Sequence, residues 1–353
     1  MATDPLIGGG DAAGLAGELS AEPLPQERGE IPPGLGPYRL ALRRLRKNRV
    51  AIVFGFLFLV IVVLCLLAPV YAKDVAHTTF AANHVTEKIE IGGKTREVVS
   101  PVGIPIGPTW HSHFFLGADK EGRDIAVRLL YGGRNSLEIG TLAMLITIFL
   151  GVLFGTLAGY FGGVLDAILS RIFDLIWAYP PIILGIALGA VLNIDGINVG
   201  PIELRAGSLV IPIGIVGFVY GPYVAKPIRG LVLGLRQREF VDAARQQGLS
   251  HARIMFGEIL PNLASMIIVF VPLMLANAIL LEAALSYLGA GIQPPNPSWG
   301  TMISEGVHEI PGAIHLTLVP GIMLLAAVLG VNVFGDGVRD ALDPRAKIRI
   351  GRR

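Results

Sequence analysis

The sequence predicts an all-α integral membrane protein with six transmembrane helices and one extracytoplasmic loop domain. Of its 353 residues, 52% are hydrophobic and only 16% are charged, and the mean hydropathy is +0.62. A soluble domain of this length would need more charged side chains to cover its surface. The apolar residues also fall into six long runs, which is the third observation that favours this class.

Each apolar run is long enough to cross a bilayer, because a hydrocarbon core of about 30 Å needs about 20 residues of helix. The runs cover residues 50–70, 136–160, 167–192, 207–225, 263–285 and 316–334. Several contain Gly or Pro, such as Pro180 and Pro181 in the third run. Membrane helices tolerate these residues where neighbouring helices satisfy the backbone groups that they leave unbonded.

The distribution of Lys and Arg predicts the orientation of the spans. Basic residues cluster at 43–49, before the first span, at 226–253, between the fourth and fifth, and at 339–353, after the sixth. The loop at 193–206 has only one basic residue and the loop at 286–315 has none. Since cytoplasmic loops are enriched in Lys and Arg, both termini and the loop between the fourth and fifth spans are predicted to be cytoplasmic.

This topology divides the chain into five segments. They are a disordered cytoplasmic tail at 1–37, a basic cytoplasmic segment with transmembrane helix 1 at 38–72, an extracytoplasmic loop at 73–134, a core with transmembrane helices 2–6 at 135–338, and a basic cytoplasmic tail at 339–353. The first tail lacks apolar periodicity and the basic start of a cleavable signal peptide.

A small β-hairpin is one interpretation of the extracytoplasmic loop. Two short segments, 88–91 and 94–99, flank the dipeptide Gly92-Gly93, and a two-residue glycine turn is typical of hairpins. A loose loop is the alternative.

The cytoplasmic segment at 228–262 contains a charged helix that ends at a glycine. Val241 and Ala244 recur at helical spacing and give this helix an apolar stripe. Gly248 can supply the left-handed residue that ends the helix, and Ser250 is suited to cap the next one. Such a helix can dock in a groove of another protein, whereas a solvated helical hairpin without a partner is the alternative.

Within this segment, EFVDAARQQGLSHARIMFGEILPNL resembles the EAA loop of ABC importer permeases. The family pattern is Glu-Ala-Ala, three residues, Gly, nine residues and Ile-x-Leu-Pro. Asp242 stands in place of the Glu, and Glu258 in place of the Ile. The resemblance implies coupling to an ATPase subunit through Asp242, Ala243, Ala244, Gly248, Leu260 and Pro261.

Three further stretches resemble the peptide and nickel importer permeases. They are LGADKEGRDIAVRLLYGGRNSL, in which Ala118 replaces the usual Thr, LSYLGAGIQPPNPSWGTMISEG and FGDGVRDALDPRAK. With the EAA-like loop they cover most of residues 116–347. The short N-terminal cytoplasmic stretch and the large outer loop are similar to the C-type of the two paired permeases, as in dipeptide and oligopeptide permease C.

The resemblance implies a non-catalytic permease subunit of the bacterial cytoplasmic (inner) membrane, with the six-helix fold of ABC importers. Expected partners are a second homologous permease, two ATP-binding cassette ATPases that bind ATP and Mg, and an extracytoplasmic substrate-binding protein. Import of di- or oligopeptides would follow by alternating access, with nickel or another small solute as the alternative substrate. A secondary transporter is the alternative class, but it predicts paired repeats and relay carboxylates, which the sequence does not show.

Some further residues are candidates for contacts with the substrate or the binding protein. Consecutive prolines hold an extended backbone, so Pro294, Pro295 and Trp299 are candidate contacts for the binding protein; a rigid connector is the alternative. Asn277 and Glu282 are candidates for lining the pathway, because charged and amide groups in spans usually face a cavity or a partner. A buried hydrogen-bonded carboxylate is the favoured interpretation of Glu282.

Arg171 and Asp174 of the third span are three residues apart, so they can pair on one helix face. No cofactor, metal or nucleotide site is predicted in the chain. Cys65 is the only cysteine, and Lys88 stands where a P-loop ending at Lys94 would need its first glycine. Four outer-loop histidines lack the spacing of a helical metal pair; they are His77, His84, His111 and His113. The net charge of only +2 suggests no nucleic-acid partner.

Overall fold

The computed structural model describes residues 37–91, 93–195, 197–199, 202–204 and 208–343. Of the tail predicted at 1–37, only residue 37 is among the described residues. Of the tail predicted at 339–353, residues 339–343 are. The remaining parts of both predicted tails lie outside the described residues.

The described part of the chain is predominantly helical. Its α-helices are α1 (Pro37–Leu45), α2 (Arg49–Leu66), α3 (Ala68–Val70), α4 (Ile125–Phe161), α5 (Gly163–Trp177), α6 (Pro181–Asp195), α7 (Val210–Val219), α8 (Gly221–Leu235), α9 (Glu239–Gln246), α10 (His251–Ile254), α11 (Leu260–Tyr287), α12 (Trp299–Val307), α13 (Ile310–Ala313) and α14 (His315–Leu342). Two π-helical turns, Tyr71–Val75 and Met255–Ile259, extend α3 and join α10 to α11.

Five helical segments of the described residues are long and apolar enough to cross a membrane. They are Arg49–Leu66, Ile125–Phe161, Val210–Leu235, His251–Tyr287 and His315–Leu342. The third predicted span is instead a helix pair, Gly163–Trp177 and Pro181–Leu192, bent by 89°. The bend falls at the predicted Pro180-Pro181 pair, because proline disfavours a helical residue before it and cannot donate a helix hydrogen bond. With the bent pair counted as one span, the described residues contain the six predicted spans.

Helix α4 begins well outside the predicted second span. Asp124 precedes its first turn, and one of its carboxylate oxygens accepts hydrogen bonds from the N–H groups of Ala126 and Val127, at 2.8 and 3.1 Å. Its other carboxylate oxygen accepts from the N–H of Phe114, at 2.8 Å. Such a cap satisfies donors that a helix start leaves free. The helix therefore occupies the last part of the segment predicted as loop.

Helix α4 is also the centre of the packing, and its largest interface is with α8. A Cβ atom at Gly155 would lie 2.5 Å from the carbonyl oxygen of Ala225, so only glycine permits this approach. Small residues of this kind allow membrane helices to pack closely. The two largest apolar cores both include α4: one with α8, α9 and α11, and one with α2, α11, α12 and α14.

The hairpin predicted between the first and second spans is present. Strands β1 (Lys88–Ile91) and β2 (Lys94–Glu97) are antiparallel, with Lys88 opposite Glu97 and Ile91 opposite Lys94. Gly93 has φ +75°, as the two-residue turn requires, and Gly92 lies outside the described residues. A second hairpin, β3 (Ile197–Val199) and β4 (Ile202–Leu204), lies between the third and fourth spans. It was not predicted, because strands of three residues carry little periodicity.

Candidate functional site

The loop between the fourth and fifth spans has one face buried against its own chain. Val241 is 0% exposed and Ala244 is 5% exposed. Both belong to an apolar core with Ile228 of α8, Leu263 of α11 and Tyr160 of α4. The apolar stripe of α9 therefore packs on the membrane-spanning helices of the same chain.

The opposite face of α9 is open. Asp242, Ala243 and Arg245 are exposed, and Arg245 donates to the Asp242 carboxylate at 3.2 Å. An exposed pair of this kind contributes about 0–1 kcal/mol, so it does little to hold the loop together. Phe240, with 36% of its surface exposed, adds an aromatic ring to this open face.

Gly248 ends α9 in the left-handed conformation predicted for it, with φ +76°. The N–H of Leu249 donates to the carbonyl oxygen of Ala244 at 3.1 Å, and the N–H of Gly248 donates to that of Arg245 at 2.9 Å. This pair of hydrogen bonds is the Schellman arrangement of helix ends. The Ser250 side chain then accepts a hydrogen bond from the N–H of Arg253 and caps α10, as expected.

Tyr160, at the end of α4, fastens the loop to the second span. Its hydroxyl lies 2.9 Å from His251 Nδ1, and its carbonyl oxygen accepts a hydrogen bond from Arg236, at 3.2 Å. Sequence reasoning did not single out Tyr160, Arg236 or His251. Each pair joins residues far apart in the chain, and no local pattern indicates such a contact.

The helix after the loop is irregular at the positions of the Leu-Pro motif. Leu260 and Pro261 begin α11 directly after the π-helical turn Met255–Ile259. Proline cannot donate to the carbonyl four residues before it, and π-helical turns occur where regular helix bonding is interrupted. Glu258 is half-buried, and its carbonyl oxygen accepts a hydrogen bond from the Asn262 side chain at 2.6 Å.

An ion-pair cluster joins the segment between the first and second spans to α12. Arg123 pairs with Asp119 at 2.6 Å and with Glu305 at 3.0 Å. Arg128 of α4, only 2% exposed, pairs with Glu305 at 2.7 Å. Although burial disfavours the charged form of Arg123, Asp119, Glu305 and Glu121 together raise its pKa above the ordinary value. Asp119 to Arg128 and Glu305 lie in two of the stretches that carried the family resemblance, but nothing in the sequence indicated that the two stretches meet.

The 293–299 stretch is fixed onto α4. Asn135 donates to the carbonyl oxygen of Pro297 at 2.8 Å, and the backbone N–H of Trp299 donates to Ser136 Oγ at 3.3 Å. The Trp299 indole is 0% exposed and donates to the carbonyl oxygen of Leu129 at 3.2 Å. The expectation that Trp299 contacts the binding protein is therefore wrong for this conformation, because its ring is enclosed by the core.

Comparison with known proteins identifies the family of this molecule. The family model described as "Binding-protein-dependent transport system inner membrane component" matches residues 151–348, more than half of the chain. This chain belongs to that family. A second model, "N-terminal TM domain of oligopeptide transport permease C", matches residues 36–84. The protein is thus a multi-pass inner-membrane permease subunit of an ABC importer, which is non-catalytic itself, and the alternative of a secondary transporter is set aside.

Three relatives of the permease cover most of its length. It is 36% identical to the "Dipeptide transport system permease protein DppC" of Alkalihalophilus pseudofirmus, over 93% of this chain and 98% of the relative. It is 36% identical to the "Di/tripeptide transport system permease protein DppC" of Pseudomonas aeruginosa, over 68% and 76%. It is 33% identical to the "Glutathione transport system permease protein GsiD" of Pectobacterium atrosepticum, over 88% and 92%.

Among solved structures, the permease is similar to "Inward facing conformations of the MetNI methionine ABC transporter". The TM-score is 0.49 and the identity is 17%, with 61% of this chain and 96% of that chain covered.

Three polar residues that the sequence analysis singled out within the spans have partners inside the permease. Glu282 is 0% exposed and accepts a hydrogen bond from Ser286 Oγ at 2.7 Å, which agrees with the favoured interpretation of a buried carboxylate. Asn277 is half-buried and donates to the carbonyl oxygen of Leu273 in its own helix, at 2.9 Å. Asp174 pairs with Lys226 of α8 at 2.7 Å.

The predicted pairing of Asp174 with Arg171 is therefore wrong. A span bent at its prolines lies beside α8, so a lysine from another helix can reach the carboxylate. Of the four histidines between the first two spans, His84 has local partners: it lies 2.9 Å from Thr78 Oγ1 and 2.6 Å from Glu87. Among the described residues, no three His, Cys, Asp or Glu side chains are grouped so that they could hold a metal ion.

Proposed function

We propose that this permease is the membrane-spanning subunit of an ATP-driven importer of short peptides. The observation that carries the proposal is its 36% identity, over 93% of the chain, with a relative named as a dipeptide transport permease. A relative named for glutathione, itself a tripeptide, supports the same substrate class.

In this proposal the permease works with a second homologous permease, two ATPase subunits that hold ATP and Mg, and an extracytoplasmic binding protein. Both termini and the α9 loop face the cytoplasm, which is supported by the clustering of Lys and Arg near these segments. The exposed Pro294 and Pro295 then lie on the extracytoplasmic side, where they are available to the binding protein. Asn277 remains the candidate for lining the pathway.

The α9 loop couples the permease to the ATPase. Its open face offers Asp242 and Ala243 to the ATPase, while the buried Val241 and Ala244 fix α9 to α8 and α11. Gly248 forms the turn after α9, and this turn directs α10 and the start of α11, at Leu260 and Pro261, back toward the membrane. A movement of α9 is therefore applied to packed spans, and close-packed interiors transmit such displacements.

Substrate uptake tests the proposal. Cells that lack this permease should lose energy-dependent uptake of a labelled dipeptide, and the restored chain should recover it. The variant Ala243→Asp is a matched control, since it should restore membrane insertion without uptake. Recovery of Ni²⁺ uptake without any peptide uptake would contradict the substrate class.

A further inference from the structure

A groove of about 610 Å³ lies between α2, α4 and α11. Most of its wall is apolar and includes Phe58 and Val62 of α2, Leu137 of α4 and Leu275 of α11. Sites for small molecules have volumes of about 300–1,000 Å³ and combine apolar walls with a few polar groups. The groove therefore has the size and lining of a ligand site.

Two opposite charges stand in this wall, and both belong to α4. Arg134 and Glu138 line the groove and are exposed. Their spacing would allow them to pair with each other, yet no ion pair of either side chain occurs among the residues that the structure describes. Charge within a membrane-spanning helix is costly and normally faces a cavity or a partner.

We propose that the groove binds a short peptide with two free termini, with Arg134 binding the carboxylate and Glu138 the ammonium group. This inference rests on the proposed function. Guanidinium groups match carboxylates in a bidentate geometry, and the Glu138 carboxylate accepts hydrogen bonds from an ammonium.

The spacing of Arg134 and Glu138 agrees with the length of a dipeptide. Residues four apart on a helix are separated along its axis by about 6 Å, and an extended dipeptide spans at most about 7 Å. The apolar wall can contact peptide side chains of varied shape without selecting among them. The two charges bind the terminal ammonium and carboxylate groups, which all unmodified short peptides share. Thr141, one turn beyond Glu138, lies in the same wall.

Protection of a cysteine at Thr141 tests the site in the complete importer. The variant Thr141→Cys, in a Cys65→Ser background, is placed in proteoliposomes with all partner subunits, binding protein and ATP. The probe is a small impermeant thiol reagent, with or without a saturating unlabelled dipeptide. We expect the peptide to slow labelling of the cysteine at Thr141 by about tenfold, which corresponds to occupied grooves in about nine of ten molecules. Asn83→Cys, in the outer loop, should label at the same rate with and without the peptide.

Charge variants separate substrate binding from a structural role. Adding Glu138→Gln or Arg134→Gln to the Thr141→Cys protein should abolish the protection by the dipeptide. Glu90→Gln and Arg43→Gln remove the same charges from exposed positions outside the groove and should preserve it. A cysteine that labels at the same rate with and without peptide, in an importer that transports the dipeptide, would overturn the proposal.

Failure of the proposed function has a different signature. In that case the importer with a native groove shows no dipeptide transport at all. A cysteine at Thr141 that never labels, in an importer that does transport, means that a second permease subunit or lipid covers the groove, which also overturns the inference. Protection that survives both charge variants would overturn the assigned roles of Arg134 and Glu138.

Discussion

Replacement of Gly248 tests whether the turn after α9 must keep its left-handed backbone. The residue has φ +76°, and a Cβ atom added there would meet nothing within 4 Å. The cost of a substitution therefore arises from the backbone alone. For an L-residue this conformation costs about 1–2 kcal/mol, with β-branched valine at the unfavourable end and asparagine tolerating it much better.

A turn that opens also loses its hydrogen bonds. The two Schellman bonds, from Leu249 to Ala244 and from Gly248 to Arg245, contribute about 0.5–1.5 kcal/mol each. The variant either keeps the turn and bears the strain or opens it and gives up these bonds, so we expect Gly248→Val to destabilise the folded loop by about 2 kcal/mol, the upper end of the strain, and Gly248→Asn by less than about 1 kcal/mol. Since about 1.4 kcal/mol is a tenfold change in an equilibrium constant, valine should shift the equilibrium between the folded and the opened loop about thirtyfold toward the opened loop.

The assay measures four quantities on the same variants: membrane insertion, co-purification of the ATPases, ATP turnover and peptide uptake. Gly248→Val should insert normally and lose most uptake through weak ATPase assembly or uncoupled hydrolysis, whereas Gly248→Asn should retain most uptake. Wild-type assembly and transport by the valine variant would refute the reasoning. Equal losses in both variants would also refute it, because the effect would then not follow the backbone strain.

Three other predictions concern the orientation of the spans, the ion-pair cluster around Glu305, and ATP hydrolysis. Cysteines at Asn83 and Gln246, in a cysteine-free background, should react with an impermeant maleimide from opposite sides of the membrane; labelling from one side would contradict the topology. Glu305→Gln leaves the buried Arg128 without its closest partner and should lower stability by about 1–3 kcal/mol, since Glu305 is itself partly exposed. An unchanged Tm in detergent would contradict this. The purified permease alone should hydrolyse no ATP, and robust turnover by it would contradict the assignment of hydrolysis to the partner subunits.

The sequence predicts the spans well because burial in lipid requires about 20 apolar residues in succession, and this signal is local. It predicts their ends less well. The first turns of α4 were assigned to the loop because Arg128 and Arg134 interrupt the apolar run there. One of these arginines is neutralised by Glu305 of a distant helix, and the other faces the groove. Only the cap at Asp124 was a local sign of the true helix start.

The wrong predictions for the candidate site have one physical origin: a single sequence does not show which helices contact each other. Trp299 was expected to contact the binding protein, but its ring is buried and its N–H groups donate to Leu129 and Ser136 of α4. Asp174 was paired with its neighbour along the helix, whereas Lys226 of α8 lies closer. For both residues, a contact with a segment distant in the sequence determines the position of the side chain, and local sequence patterns do not indicate such contacts.

The stripe of α9 shows the same limit and changes how the loop should be probed. Periodicity correctly located an apolar face at Val241 and Ala244, but it cannot tell which of two proteins covers that face. Here the chain's own helices α8 and α11 cover it. A charge at Ala244 is thus expected to damage the loop itself, because a buried unpaired carboxylate is costly. The exposed Ala243 is the position at which a charge can disturb a partner while leaving the fold intact. If Ala244→Asp left the loop as resistant to proteolysis as Ala243→Asp does, α9 would have to be detached from the spans in the membrane.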